Sequence, residues 1–84
     1  MNEIKDINKA ICGNYYKVCF EDPISELYIV AYGEMQNFNP NKQIVIYNEI
    51  KGLYVISYTG IINMIPMPKP EDLSEYQRRK YYSV

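Results

Sequence analysis

Histidine and tryptophan are absent from this chain of 84 residues, and cysteine and glycine are scarce. Without histidine, the chain lacks the usual general base, the usual zinc ligand and every Ser-His or Cys-His pair. Its two thiols, Cys12 and Cys19, do not complete a tetrahedral zinc shell by themselves. We therefore predict a chain without catalytic residues, bound metal or cofactor, which is not an enzyme.

Phosphate-binding loops and long apolar runs are missing as well. Neither GxGxxG nor the P-loop pattern GxxxxGK occurs. No apolar run approaches the ~20 residues that span a bilayer, and the first residues lack the basic and then apolar order of a signal peptide. We predict a cytoplasmic protein without membrane contact, and a virus-encoded protein would work in the cytoplasm of its host cell.

Adjacent acidic residues occur twice, at Glu21-Asp22 and at Glu71-Asp72. Paired carboxylates carry out acid-base chemistry in glycosidases. Neighbouring residues of a strand point to opposite faces, so an adjacent pair is poorly placed for that role. The first pair is predicted to form a turn before Pro23, and the second pair is predicted to lie at the start of a helix.

Length and composition indicate one globular domain over residues 1–84. Hydrophobic residues make up 48% and charged residues 23%, which is typical of a folded chain. A domain of this size buries only about 60 to 65% of its unfolded surface, so we expect modest stability. The formal net charge of −1 argues against nonspecific binding to nucleic acid or to an anionic membrane.

Apolar periodicity predicts an α+β fold. Isoleucines at three- and four-residue spacing indicate a short amphipathic helix before Gly13. Runs of β-branched and aromatic residues predict five strands, at residues 15–20, 26–32, 43–47, 53–58 and 61–65. The main loop is predicted over residues 34–42, and the last three strands are predicted to form a meander. The predicted architecture is a five-stranded, mostly antiparallel sheet with short N- and C-terminal helices, and a small partly open barrel is the alternative.

Prolines at every second position mark the end of the predicted sheet. Pro66, Pro68 and Pro70 fix φ and remove backbone donors, so residues 66–70 are predicted to form an extended segment. A helix over residues 71–82 is predicted to follow, because acidic residues lie near its start and basic residues near its end.

Tyrosines are abundant and alternate with aliphatic residues along the predicted strands. Each of three strands has an aliphatic side and a side that carries tyrosine: Tyr28 and Tyr32 in the second, Tyr47 in the third, and Tyr54 and Tyr58 in the fourth. Tyrosine covers a sheet face in many proteins and is also enriched in interfaces. The sequence leaves open which strand faces align, because that depends on register.

The C-terminal segment combines three cations with two aromatic rings. This combination is typical of contacts with phosphates and bases, and it is also typical of a helix end whose cations complement the dipole. Together with the sheet tyrosines, the segment supplies the predicted partner-binding residues: Tyr28, Tyr32, Tyr47, Tyr54, Tyr58, Arg78, Arg79, Lys80, Tyr81 and Tyr82.

Three functions are compatible with these features. We favour a non-enzymatic protein that acts by occupying a partner protein's surface. Isoleucine, asparagine, lysine and tyrosine have AT-rich codons, and their abundance is typical of small phage or viral proteins, so an inhibitor of a host defence system is the expected form. The alternatives are a small nucleic-acid-binding module and a self-associating structural protein, that is, a homo-oligomer.

Overall fold

An antiparallel sheet of five strands forms most of the fold. The structure is a computed structural model and describes residues 12–39 and 43–82. Two 3-10 turns, Tyr58–Gly60 and Pro70–Asp72, follow the fourth and fifth strands. The regular elements are β1 (Tyr15–Glu21), β2 (Tyr28–Asn39), β3 (Gln43–Asn48), β4 (Gly52–Ser57), β5 (Ile61–Met67) and α1 (Glu75–Tyr82). The predicted α+β class is confirmed, whereas the predicted N-terminal helix lies outside the described residues.

The strands are ordered β4-β3-β2-β1-β5, and all neighbours are antiparallel. The first four strands are consecutive along the chain and form a meander. The predicted meander of the last three strands was wrong, because β5 pairs with β1 at the far edge and not with β4. Consecutive strands therefore do not always pair, and the connection after β4 decides where β5 lies.

That connection forces the sheet to curl. Neighbouring strands lie ~4.8 Å apart, so β4 and β5 would be roughly 19 Å apart in a flat five-stranded sheet. The three-residue turn Tyr58–Gly60 joins them, and the chain from Ser57 to Ile61 reaches about 14 Å at most. The sheet therefore bends until these strand ends approach. In the part of the chain that the structure describes, β4 and β5 do not pair, so the sheet is not closed into a barrel.

The inner face of the curled sheet carries the hydrophobic core. Alternate residues of β1 are buried, and β3 repeats this alternation. Fully burying an aliphatic or aromatic side chain contributes about 1.5–3 kcal/mol. The buried core residues are Tyr16, Val18, Phe20, Ala31, Met35, Ile44, Ile46, Ile56 and Met64. Every strand supplies at least one of them, so the core holds the whole sheet together.

Gly33 lies within β2 and does not end it. Residues 34–39, predicted as part of the main loop, belong to β2, which pairs with β1 through its first half and with β3 through its second. A Cβ at Gly33 would lie 2.8 Å from Cγ2 of Ile46 and would collide with the carbonyl oxygen of Tyr47. The glycine is therefore required for the close approach of β3. Residues 40–42 lie outside the described residues.

The C-terminal part also differs from its prediction. Pro66 belongs to β5, where it lies opposite Tyr16, so the extended segment after the sheet begins two residues later than predicted. Proline is tolerated in an edge strand, because only half of that strand's backbone N–H groups donate to a neighbouring strand.

The α-helix begins at Glu75, since Ser74 and Gln77 form a capping box. The Gln77 amide donates to Ser74 Oγ at 3.2 Å, and the Ser74 amide donates to Gln77 Oε1 at 3.3 Å.

Substituting Gly33→Ala should destabilise the fold, because the added methyl group meets backbone and side chain of β3. Overpacking of this kind costs about 1–3 kcal/mol. Urea unfolding followed by circular dichroism measures the change. The control is Val30→Ala, which changes an exposed residue of the same strand and should shift the free energy of unfolding much less. Equal midpoints for Gly33→Ala and the wild type would contradict the close approach.

Candidate protein-binding surface

Helix α1 covers one part of the sheet's outer face. The ring of Tyr82 meets Tyr15 edge-on, with centroids 5.8 Å apart, and lies 6.4 Å from the ring of Tyr32. The ring of Tyr81 lies 5.0 Å from Tyr32. Such aromatic pairs contribute about 0.5–1.5 kcal/mol beyond their buried area. This cluster, Tyr15, Tyr32, Tyr81 and Tyr82, attaches α1 to β1 and β2.

Burial disfavours ionisation of three hydroxyl groups in this aromatic cluster, those of Tyr15, Tyr32 and Tyr82. Tyr82 is buried, and desolvation raises its pKa to about 12, with smaller contributions from Tyr15, Tyr32 and Tyr81. Desolvation also raises the pKa of Tyr15 and of Tyr32. The cluster is therefore a packed structural element whose rings contact one another.

A part of the outer face on β3 and β4 is apolar and uncovered. On β3 and β4, Tyr47 lies opposite Leu53, and Val45 lies opposite Val55. Leu53 is 63% exposed, Val55 is 62% exposed and Tyr47 is 40% exposed. We call these four side chains the apolar strip. They adjoin one another in cross-strand pairs and form one continuous surface on the β3–β4 hairpin.

Asn48 fixes the turn that presents this strip. Its side chain is buried, and its Nδ2 donates to the carbonyl oxygen of Tyr32 at 2.8 Å. Its Oδ1 accepts from the amides of Ile50 and Lys51 at 2.9 and 3.0 Å. Gly52 closes the turn with φ +86°, a conformation that favours glycine. The hairpin is thus tied to β2 through one amide side chain.

A second exposed apolar group lies on the β1–β2 turn. The Asp22 carboxylate accepts from Ser25 Oγ at 2.7 Å and from the amides of Ser25 and Ile24. The Ser25 hydroxyl bond is the main reason that the pKa of Asp22 is lowered. This ordered turn holds Ile24 outward, where 92% of it is exposed. The turn also forms one wall of an open cleft of about 380 Å³, whose opposite wall includes Val55 and Ser57 of β4.

The residues that the sequence singled out are spread over several surfaces. Tyr32, Tyr81 and Tyr82 belong to the aromatic cluster under α1. Tyr54 lies opposite Ile46 and packs against the core, away from the outer face. The remaining tyrosines are exposed at separate places: Tyr28 at the start of β2, Tyr47 in the apolar strip and Tyr58 in the first 3-10 turn.

The basic segment lies along α1 with all three cations exposed. Arg79 pairs with Glu75 at 2.7 Å, and Arg78 Nε donates to the Pro70 carbonyl oxygen at 3.3 Å. The ammonium group of Lys80 lies 5.6 Å from the Tyr81 ring centre. The rings of Tyr81 and Tyr82 contact the sheet tyrosines Tyr32 and Tyr15. Nucleic-acid binding stays a prediction.

Sequence reasoning missed Ile24, Leu53 and Val55. Alternation assigned Leu53 and Val55 to the aliphatic side of their strand, opposite the tyrosines that were predicted to bind a partner. The hairpin register was the available signal: a turn centred on Ile50 sets Tyr47 against Leu53 and therefore turns Tyr54 to the core. No sequence signal indicated the exposure of Ile24, which depends on how the turn projects.

No protein-family model, curated protein or solved structure matches this chain. Of the helices in the described residues, none has the length and apolar character needed to cross a membrane. Within residues 12–39 and 43–82, no cluster of three or more cysteine and acidic side chains could hold a metal ion. The surfaces themselves therefore carry the functional argument.

Stability should fall at high pH because of the aromatic cluster. The folded pKa of Tyr82, about 12, exceeds the unfolded value near 10, so its contribution is complete below the unfolded pKa and is lost as pH rises through the folded one. The urea midpoint should drop between about pH 10 and about pH 12, and Tyr82→Phe should make that drop shallower. Tyr76→Phe, on an exposed tyrosine of the same helix, should keep the full drop.

Replacing Asn48 with alanine should weaken the hairpin turn. The substitution leaves the Tyr32 carbonyl and two turn amides without their partner, so we expect a loss of about 2–3 kcal/mol in the free energy of unfolding. Urea unfolding measures the loss. Asn37→Ala, an exposed asparagine on the neighbouring strand, should change stability by less than about 0.5 kcal/mol. Equal losses for both variants would contradict the role of Asn48.

Proposed function

We propose that this chain is a protein-binding domain that acts by occupying the surface of a partner protein, with the apolar strip as its contact surface. The observation that carries the proposal is the continuous exposure of Tyr47, Leu53 and Val55 on one rigid hairpin. Exposed apolar residues that adjoin one another commonly mark interaction sites, whereas single ones are ordinary.

The strip has the chemistry of an interface centre. Tyrosine is enriched among the residues that dominate binding energy, and aliphatic neighbours help to exclude water around it. Full burial of a leucine or valine side chain contributes about 1.5–3 kcal/mol. The partner should therefore present an apolar surface to the strip and polar groups at its margin, where Glu34 and Gln36 of β2 are positioned next to β3.

The strip is also held ready for binding. Asn48 fixes the turn, and Ile44 and Ile46 bury the inner side of the same hairpin. A surface on fixed strands loses little conformational entropy when it binds. A host protein as the partner, inhibition as the outcome and the cytoplasm as the compartment stay predictions from composition.

Charged substitutions in the strip should abolish partner capture. The tagged protein with Leu53→Asp and Val55→Asp is compared with the wild type by affinity purification from its native host, and the captured proteins are quantified by mass spectrometry. The variant should lose the wild-type partner, because burying two unpaired carboxylates is unfavourable. Circular dichroism confirms that both proteins are folded.

The control is Ile62→Asp, which places one such carboxylate on an exposed aliphatic residue of β5, at the other edge of the sheet. It should retain the partner. A partner found with the wild type and the control but not with the double variant supports the proposal. Equal capture by all three proteins, or no specific partner for the wild type, overturns it.

A further inference from the structure

The two free edges of the sheet differ in how readily they accept another strand. β5 contains Pro66, which lacks a backbone donor, and its pairing with β1 shifts register between Cys19 and Phe20. Both features hinder the addition of a further strand. β4 has neither feature: it contains no proline and no charged residue, and its six residues pair regularly with β3. Among the described residues, β3 is its sole strand partner.

Edge strands like β4 attract other strands. Natural proteins commonly protect an edge with proline, lysine, a bulge or inward charges, and β4 has none of these devices. The outer side chains of β4, Leu53 and Val55, are largely exposed, so an added strand would gain cross-strand apolar contacts as well as backbone hydrogen bonds. The edge is therefore suited to receive a strand of similar apolar character.

We propose that the strand that binds there is β4 of a second copy of the same chain, paired antiparallel about a two-fold axis. The two five-stranded sheets then join into one continuous sheet of ten strands. The alternative contact, β4 of one copy with β5 of the next, would grow into rings or open filaments, and Pro66 with the register shift opposes it. The symmetrical contact uses the β4 edge of both copies, so no β4 edge is left for a third copy.

The pairing is self-complementary in its side chains. Two central registers keep the outer faces of both copies aligned, with Val55 opposite Val55 or with Tyr54 opposite Tyr54, because side chains alternate with a period of two. In either register the apolar strips of the two copies lie on the same face. The dimer therefore extends the proposed partner-binding surface and does not consume it.

Charges at the two ends of β4 complement each other. At its C-terminal end, Glu21 and Asp22 line the same cleft as Ser57. At its N-terminal end, Lys51 precedes the strand and is exposed. Antiparallel pairing places Lys51 of the second copy opposite Ser57 or Thr59, according to the register, and hence beside these carboxylates. The two-fold axis repeats the contact, so each copy both offers and receives a cation.

The same geometry brings together two exposed isoleucines. Ile50, at the tip of the β3–β4 turn, is 57% exposed, and Ile24 projects from the turn that lines the cleft. In the dimer, Ile50 of the second copy falls opposite Tyr58 or Gly60, which follow Ser57, a residue that lines the cleft together with Ile24. Side chains that are costly to leave in water thus become contacts at both ends of the paired strands.

Sedimentation equilibrium of the isolated full chain tests the proposal. The experiment is done under reducing conditions, because Cys12 is an exposed thiol. The wild type should form dimers as concentration rises toward about 1 mM. Lys51→Glu and Glu21→Lys should each raise the dimer dissociation constant roughly tenfold, since each change acts twice in the symmetrical contact. The double variant, which exchanges the two charges, should restore the wild-type constant.

The control is Lys69→Glu, which makes the same charge change at an exposed residue after β5 and should leave dimerisation unchanged. Amide hydrogen exchange in β4 should also slow as the concentration rises. A monomer at about 1 mM, a double variant as weak as the single ones, or equal weakening by Lys69→Glu overturns the proposal. The measurement contains no partner protein, so its failure leaves the proposed function untouched.

Discussion

The short connection between β4 and β5 is the constraint on which the rest of the fold depends. Three residues join strands that lie at opposite edges of the sheet, and Gly60 passes so close to β1 that a Cβ there would lie 2.9 Å from the Glu21 carbonyl oxygen. The sheet must curl to satisfy this link. Curling encloses the inner face, so that an 84-residue chain obtains a core from one sheet.

Because the sheet curls, its two edges differ in their surroundings, and so do the part of its outer face under α1 and the part on β3 and β4. β5 lies beside β1, and the chain leaves it toward α1, which packs its tyrosines over β1 and β2. β3 and β4 are at the other side of the sheet, where the outer side chains of Leu53 and Val55 stay exposed. The packed aromatic cluster and the exposed apolar strip therefore follow from one topology.

Much of the fold could be predicted from local pattern, and most of the candidate surface could not. Alternation correctly separated Ile29 and Ala31 from Tyr28 and Tyr32, because a strand's period of two is a local property. The continuation of β2 through Gly33 depends on contact with β3, which is remote in sequence. Likewise, the position of Tyr54 depends on hairpin register, and a slip of one residue exchanges the faces.

The tyrosines show why abundance alone did not locate the surface. A sheet has two faces that can bury side chains, and the inner face forms the core. On part of the outer face, Tyr15 and Tyr32 pack against Tyr82 of α1. An eight-residue helix is only about 12 Å long, which spans two to three strands at ~4.8 Å spacing. A helix attached over β1 and β2 is thus too short to reach β4. The exposed strip lies beyond the part of the sheet that α1 covers, so its position is set by the length of α1 and by the strand order. Its chemistry is apolar because alternation along β3 and β4 places tyrosine, valine and leucine there.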